Sequence, residues 1–389
     1  MAGVGIHVKP EIINWILQSL QFENVASSAI ELLHKWQSGE KTPTFNQVED
    51  MSKKTNIPFG YFFLDKPPVE ECSIVEYRTI DSAKIAEPSR NLVDTVDQMT
   101  DIQQWMVEYV VENGQEELGY VGNAAGKTQV LSVAEDIRKT LDIQADWYVD
   151  NQNAGDSFRF LKGRIENIHV LVMMSGIVGN NTRRKLNVEE FRAFTLVSNY
   201  APLIFINSCD SDSGKLFSIL HELAHVWVGE NSFYNAPIHA DIENREVEKF
   251  CNAVAAELLV PTKSFLEKWQ SDHDEILDKI EKIARSFRCS RFVVARKALD
   301  HGKISREIYE QIVKELTNQF KEWQERQKES KGTGGDYYRN LASKIDRNFV
   351  TALARSASEG RTQYTEIYRL TNTNRKTFGR LLETVGGAG

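Results

Sequence analysis

No stretch of this chain approaches the roughly 18 to 20 consecutive apolar residues that a membrane-spanning helix needs. Its most hydrophobic run, HVLVMM at 169–174, has the length of a buried strand. The opening segment, MAGVGIHVKPEIINWILQSL, has no continuous apolar stretch and no small-residue cleavage site, so secretion is not expected. Cysteine is scarce and scattered: Cys72, Cys209, Cys251 and Cys289 include no C-x-x-C pair. That spacing excludes a cysteine-rich zinc knuckle and argues against a disulfide frame, pointing to reduced thiols inside a cell. Positive charge is also in deficit, with 47 Lys and Arg against 55 Asp and Glu and a net charge of −8. A chain coated in nucleic acid is therefore not expected, although a local basic patch stays open. Internal repeats and low-complexity tracts are missing too. The expectation is a cytoplasmic protein with no membrane association.

What is present is enough chain, 389 residues, for two or three domains with real cores. Residues 9 to 64 read as helical: Ile12, Ile13, Ile16, Leu17 and Leu20 recur at helical spacing, and SSAIELLHKW and FNQVEDMSKKTNIPFGYFF follow. The phrase Trp36-x-x-Gly39-Glu40-x-x-Pro43-Thr44 suits a helix stop at Gly39 and the entry of another helix after Pro43. Pro67-Pro68 closes this part. The Trp36–Thr44 phrase resembles the one that follows the recognition helix in small phage-repressor-like helix-turn-helix domains, which implies a helix-turn-helix-like module over residues 1–70. Long helices then dominate to about residue 150. IENIHVLVMMSG and APLIFINS read as two buried strands, and a helix capped by Ser211, Asp212 or Ser213 follows. A second helix spans about 243 to 259 and stops before Pro261. Short helices continue through a helical extension at 266–325. EWQERQKESKGTGG reads as a linker, and a basic helical module occupies 336–389. The whole is an α+β chain, mostly helical with a small sheet, whose central part is residues 71–265.

Chemistry concentrates in FSILHELAHVWVGE, residues 217 to 230. His221 and His225 stand at i and i+4, so both imidazoles leave one face of a helix and can grip one metal ion. Glu222, one position round, can act on a water molecule without ligating the metal. This is the H-E-x-x-H arrangement, with the glutamate as general base.

A catalytic zinc needs a third protein ligand and an open position. The pattern H-E-x-x-H-x-x-G-x-x-H fails here, because Val228 and Asn231 occupy its glycine and third histidine positions. A glutamate from the second helix is the alternative. In NREVEKFCNAVAAELLVP, Val247, Phe250, Cys251, Val254 and Leu258 form an apolar stripe, and Glu248 borders it. Asn252, one turn further along the same line, could orient a ligating histidine. Ala255 and Ala256 are small enough to let two helices approach. Glu246, Glu243, Glu257 and His239 compete with Glu248 for the ligand role. Tyr234 and His239, in the loop after the first helix, are candidate electrophilic helpers.

LFSILHELAHVWVGE followed by EKFCNAVAAELLVP resembles the ImmA/IrrE-type metallopeptidases, whose third zinc ligand is the glutamate of an E-x-x-C/A-N-x-x-A-A phrase. The likeness extends to the repressor-like N-terminal module, EYRTI at 76–80, FRAFTLVSNYAPLIFIN, and the ending GGDYYRNL…EGRTQYTEIYRL. It implies a gluzincin-like zinc metallopeptidase core over 71–265, flanked by N- and C-terminal helical modules. It makes His221, His225 and Glu248 the ligands of one Zn2+ ion, Glu222 the base, and Asn252 the match to the phrase's polar position. It also implies cleavage of a transcriptional repressor of the helix-turn-helix kind, encoded nearby, in a DNA-damage or mobile-element response.

Two other readings stay open. One is a non-catalytic regulator or toxin–antitoxin component with a structural zinc; an intact Glu222 speaks against it. The other is a direct DNA-binding transcription factor. For that reading SSAIELLHKWQ offers few groups to base edges, and only Arg355, Arg361, Arg369, Arg375, Lys376 and Arg380 form a basic face.

Overall fold

The computed structural model describes residues 5–20, 25–68, 88–234, 246–271, 275–329 and 337–386. It divides into two compact units, the first comprising residues 1–100 with 175–190 and the second 101–174 with 191–389. Helices predominate throughout and the only sheet among the described residues is small, so the fold is α+β and mostly helical.

The first unit opens with three short helices, α1 (Pro10–Ser19), α2 (Ser27–Gln37) and α3 (Phe45–Thr55), followed by a 3-10 turn at Phe59–Phe63. Pro10 sits at the start of α1, where a missing N–H costs nothing. Gly39 stops the chain after α2 with φ +76°, a conformation that costs other residues a steric penalty. Thr44 and Gln47 then form a capping box that starts α3. Ile12, Ile13, Ile16, Leu33, Val48 and Phe62 close a shared core, so the helical periodicity read from the sequence has a physical outlet. The long α4 (Arg90–Glu112) follows, its residues up to 100 counted in the first unit and the rest in the second.

The second unit holds the sheet. Helices α5 (Val130–Thr140) and α6 (Ala154–Asn167) precede β1 (Leu171–Ser175), β2 (Ala193–Leu196) and β3 (Leu203–Asn207). Then come α7 (Asp212–Val228), β4 (Ser232–Tyr234) and α8 (Glu246–Leu259). The strand order is β1-β3-β2-β4, and β2 runs antiparallel to both β3 and β4. The two strands expected from apolar runs are β1 and β3. β2 and β4 were not anticipated. AFTL is embedded in a longer mixed segment and SFY is three residues long, too short for any periodicity to register.

α7 is buried from Leu216 to Val228, as expected of a helix at the centre of a domain rather than at its surface. Ser211 caps it, its hydroxyl accepting from the Gly214 N–H at 3.1 Å. Gly229 ends it at φ +82°, and a Cβ there would stand 2.9 Å from the Gly122 Cα. Positive φ and close approach both demand glycine at that turn.

Past the sheet the chain continues as α9 (Thr262–Ser271), α10 (Ile276–Ser286), α11 (Arg291–Asp300) and α12 (Arg306–Glu329). The expected linker therefore begins later than the sequence suggested. Residues 322–329 extend α12, because Glu, Gln, Lys and Arg are good helix formers and Arg326 pairs with Glu322 one turn back, at 3.1 Å. The C-terminal helices are α13 (Tyr337–Lys344), α14 (Arg347–Ser358), α15 (Tyr364–Thr371) and α16 (Arg375–Gly386).

Candidate metal centre

α7 presents His221 and His225 on one side, and α8 packs against that side. The apolar stripe of α8 is seated as read: Cys251, Val254 and Leu258 are buried and Val247 and Phe250 half-buried. Ala255, fully buried, adds no bulk to the stripe. The register this sets brings Glu248 over the two histidines.

The Nε2 atoms of His221 and His225 are 3.2 Å apart. Glu248 places Oε2 3.2 Å from the first and Oε1 3.3 Å from the second. An ion held tetrahedrally at about 2.0–2.1 Å from each ligand requires ligand atoms about 3.3 Å apart. The two nitrogens meet that spacing, each has an oxygen of the Glu248 carboxylate at a comparable distance, and two imidazole nitrogens with a carboxylate are a donor set that zinc favours. Among the described residues this is the one group of three such side chains close enough to hold a metal. Both histidines are buried, and Glu248 is largely so. Burial works to raise the Glu248 carboxyl, yet its hydrogen bonds and ion pairing with the two histidines hold it well below the usual carboxylate range.

Glu222 is fully buried beside this triangle. Its Oε2 accepts the Thr195 hydroxyl at 2.6 Å and the Ser232 hydroxyl at 2.8 Å, while Oε1 has no hydrogen-bond partner among the described residues. Burial pushes its carboxyl up, and the neighbouring histidines and the two hydroxyls oppose that shift. Neither Thr195 nor Ser232 was singled out from the sequence. Their signal is faint, one threonine and one serine in the two unanticipated strands.

The other candidates separate cleanly. Glu257 is occupied elsewhere, paired to Lys297 at 2.8 Å and to Arg138 at 3.9 Å. Glu246 is exposed at the start of α8. Asn252 is half-buried one turn beyond Glu248, and its Oδ1 makes no hydrogen bond among the described residues. Cys251, which the sequence offered as part of the apolar stripe and as the C/A position of the E-x-x-C/A-N phrase, has its buried thiol beside the His225 ring. Tyr234 ends β4; its side chain, and all of His239 and Glu243, lie outside the described residues. Asn231 has a structural task, accepting the Val197 N–H at 2.6 Å and so fixing the end of β2. EYRTI at 76–80 also lies outside the described residues.

Much of the basic C-terminal face is spoken for. Arg355 pairs with Glu359, Arg361 with Glu112 and Glu359, Arg369 with Asp101, and Arg380 with Glu383. Arg375 and Lys376 are exposed. No helix among the described residues is long and apolar enough to cross a membrane.

Residues 345–384 match the profile of a domain of unknown function, and no curated protein or solved structure matches the chain. Residues 170–299, from β1 into the end of α11, match the profile of the peptidase family described as "IrrE N-terminal-like domain", and that stretch contains His221, Glu222, His225 and Glu248.

Proposed function

We propose that this protein is a zinc-dependent endopeptidase that cleaves a protein partner, a helix-turn-helix transcriptional repressor encoded nearby, during DNA-damage or mobile-element responses. The observation that carries the catalytic part is the cluster of His221, His225 and Glu248, with contacts of 3.2–3.3 Å, and the Glu222 carboxylate buried beside it. A structural metal site needs no such carboxylate. The repressor substrate rests on the ImmA/IrrE resemblance, which the match over 170–299 supports at the level of the peptidase domain.

His221, His225 and Glu248 would hold the ion. When bound, zinc supplies Lewis acidity toward a peptide carbonyl and makes water easier to deprotonate. Glu222 takes the proton of the attacking water on Oε1, the oxygen with no hydrogen-bond partner among the described residues, and delivers it to the departing amine nitrogen. Burial keeps that carboxylate away from bulk water, so the proton is passed rather than lost. Asn252 would steady the ligand set from one turn along α8, and Tyr234 or His239 would assist at the carbonyl oxygen.

Incubating the purified protein with the repressor encoded beside its gene tests this directly. One cut is expected, abolished by chelator and by Glu222→Gln. An uncut repressor that nonetheless forms a stable complex, with biological output preserved in Glu222→Gln, would replace catalysis with a regulatory, toxin–antitoxin-like role.

A further inference from the structure

We infer that Thr195 and Ser232 are positioning residues for Glu222, a cross-strand hydroxyl clamp that fixes one carboxylate oxygen so that the other is free to receive a proton. The inference deepens the peptidase reading and rests on it for its kinetic consequence, though the clamp itself is a matter of geometry.

Thr195 and Ser232 are register partners in the antiparallel β2–β4 pair, so their side chains rise on the same face of the sheet. That face meets α7, and both hydroxyls converge on Glu222 Oε2 at 2.6 and 2.8 Å. Both residues are essentially inaccessible, at 0% and 2% exposure. Buried hydroxyls seek partners, and here both choose the same oxygen of the same carboxylate. Thr195 also lies 3.2 Å from the Glu222 backbone carbonyl, so it locates the helix turn as well as the side chain. β4 follows α7 after a three-residue turn at 229–231, in which Gly229 reverses the chain and Asn231 anchors to β2. The short strand thus returns a serine to the glutamate ten positions before it.

A carboxylate on an unrestrained side chain rotates about its last two bonds and spreads its basicity over two oxygens. Two charge-assisted hydrogen bonds on Oε2 suppress that freedom, and they leave Oε1 as the acceptor. Catalysis by a general base demands such geometry, and misplacement by about 1 Å costs on the order of a hundredfold in rate.

The test uses full-length Thr195→Val, Ser232→Ala and Thr195→Ser. Glu222's carboxylate stretch is assigned by infrared difference spectroscopy, comparing 13C-glutamate-labelled wild type with Glu222→Gln. Zinc content, thermal melting, and kcat and KM on fluorescein-labelled casein are measured alongside. The clamp predicts that Thr195→Val and Ser232→Ala each move the Glu222 band. It also predicts a kcat roughly 10- to 100-fold lower at unchanged KM and zinc content, with Thr195→Ser restoring both band and rate. An unmoved band in both variants would overturn the inference. So would a lower kcat that accompanies lost zinc or lost folding and that Thr195→Ser does not restore, since a merely structural role behaves that way. If wild type cuts no casein and no repressor, the peptidase reading falls, and the infrared result alone decides whether the clamp exists.

Discussion

The Nε2 atoms of His221 and His225 lie 3.2 Å apart, each with a different oxygen of Glu248 at nearly the same distance. Two imidazole nitrogens with a carboxylate between them define a metal site more firmly than the histidine spacing alone, because the carboxylate comes from a separate helix. Purified protein should therefore retain about one zinc ion per chain. Glu248→Gln and His221→Ala should each weaken retention by more than the roughly 10- to 100-fold that loss of a supporting hydrogen bond costs. Elemental analysis after dialysis against a graded chelator checks this, and full retention by Glu248→Gln would remove it from the ligand set.

Glu222→Gln separates binding from chemistry. Glutamine keeps an oxygen that Thr195 and Ser232 can still grip, so the fold and the zinc content should not change. It cannot accept a proton at neutral pH, and loss of a general base costs about a hundredfold to ten-thousandfold. Single-turnover cleavage of the repressor should fall by at least that factor while pull-down of the same repressor persists. Equal cleavage rates would take Glu222 out of the mechanism.

The parts of the site legible in the sequence were those carried by helices. His221, Glu222, His225 and Glu248 sit on two continuous helices whose period fixes which residues share a face, and the structure brings His221, His225 and Glu248 together with Glu222 beside them. The hydroxyls of Thr195 and Ser232 were hidden because a four-residue and a three-residue strand carry no readable period and their pairing is non-local. Glu257 looked like a ligand competitor because its partner, Lys297, is 40 positions away on α11. Only the packed structure shows that charge to be engaged.

That pair yields a stability prediction. Glu257 and Lys297 are each about 6% exposed, and the lysine ammonium also donates to the Val260 carbonyl, tying the end of α8 to α11. Lys297→Met should cost about 3–5 kcal/mol by stranding Glu257, even though Arg138 stands 3.9 Å away. Adding Glu257→Gln should recover part of that loss, since it removes the stranded carboxylate, although it also takes a partner from the largely buried Arg138. Urea unfolding of the three proteins measures it. A single variant as stable as wild type would show the pair to be dispensable.

Asp346 predicts how stability changes with pH. It is fully buried at the start of α14, with one oxygen accepting the Phe349 N–H at 3.0 Å and the other accepting the Val172 N–H of β1 at 3.1 Å. It therefore fastens the first C-terminal helix of residues 345–384 to an edge strand of the sheet. Burial, reinforced by the nearby Glu166 charge, pushes its carboxyl up to about 7, against the pull of Lys162 and the two backbone donors. An acid whose pKa is raised on folding binds its proton more tightly in the native state. Its contribution to stability is therefore present at low pH and is lost as the pH rises from the unfolded value of about 4 through 7. Asp346→Asn keeps a carbonyl oxygen to cap α14 and carries no charge, so its contribution should not vary across that window. The difference in unfolding free energy between wild type and Asp346→Asn should shift in favour of the variant between pH 5 and pH 8.5. Urea titrations at the two pH values measure that difference directly. A difference that is constant, or that moves toward wild type as pH rises, would mean that Asp346 is already ionised in the folded protein at pH 5.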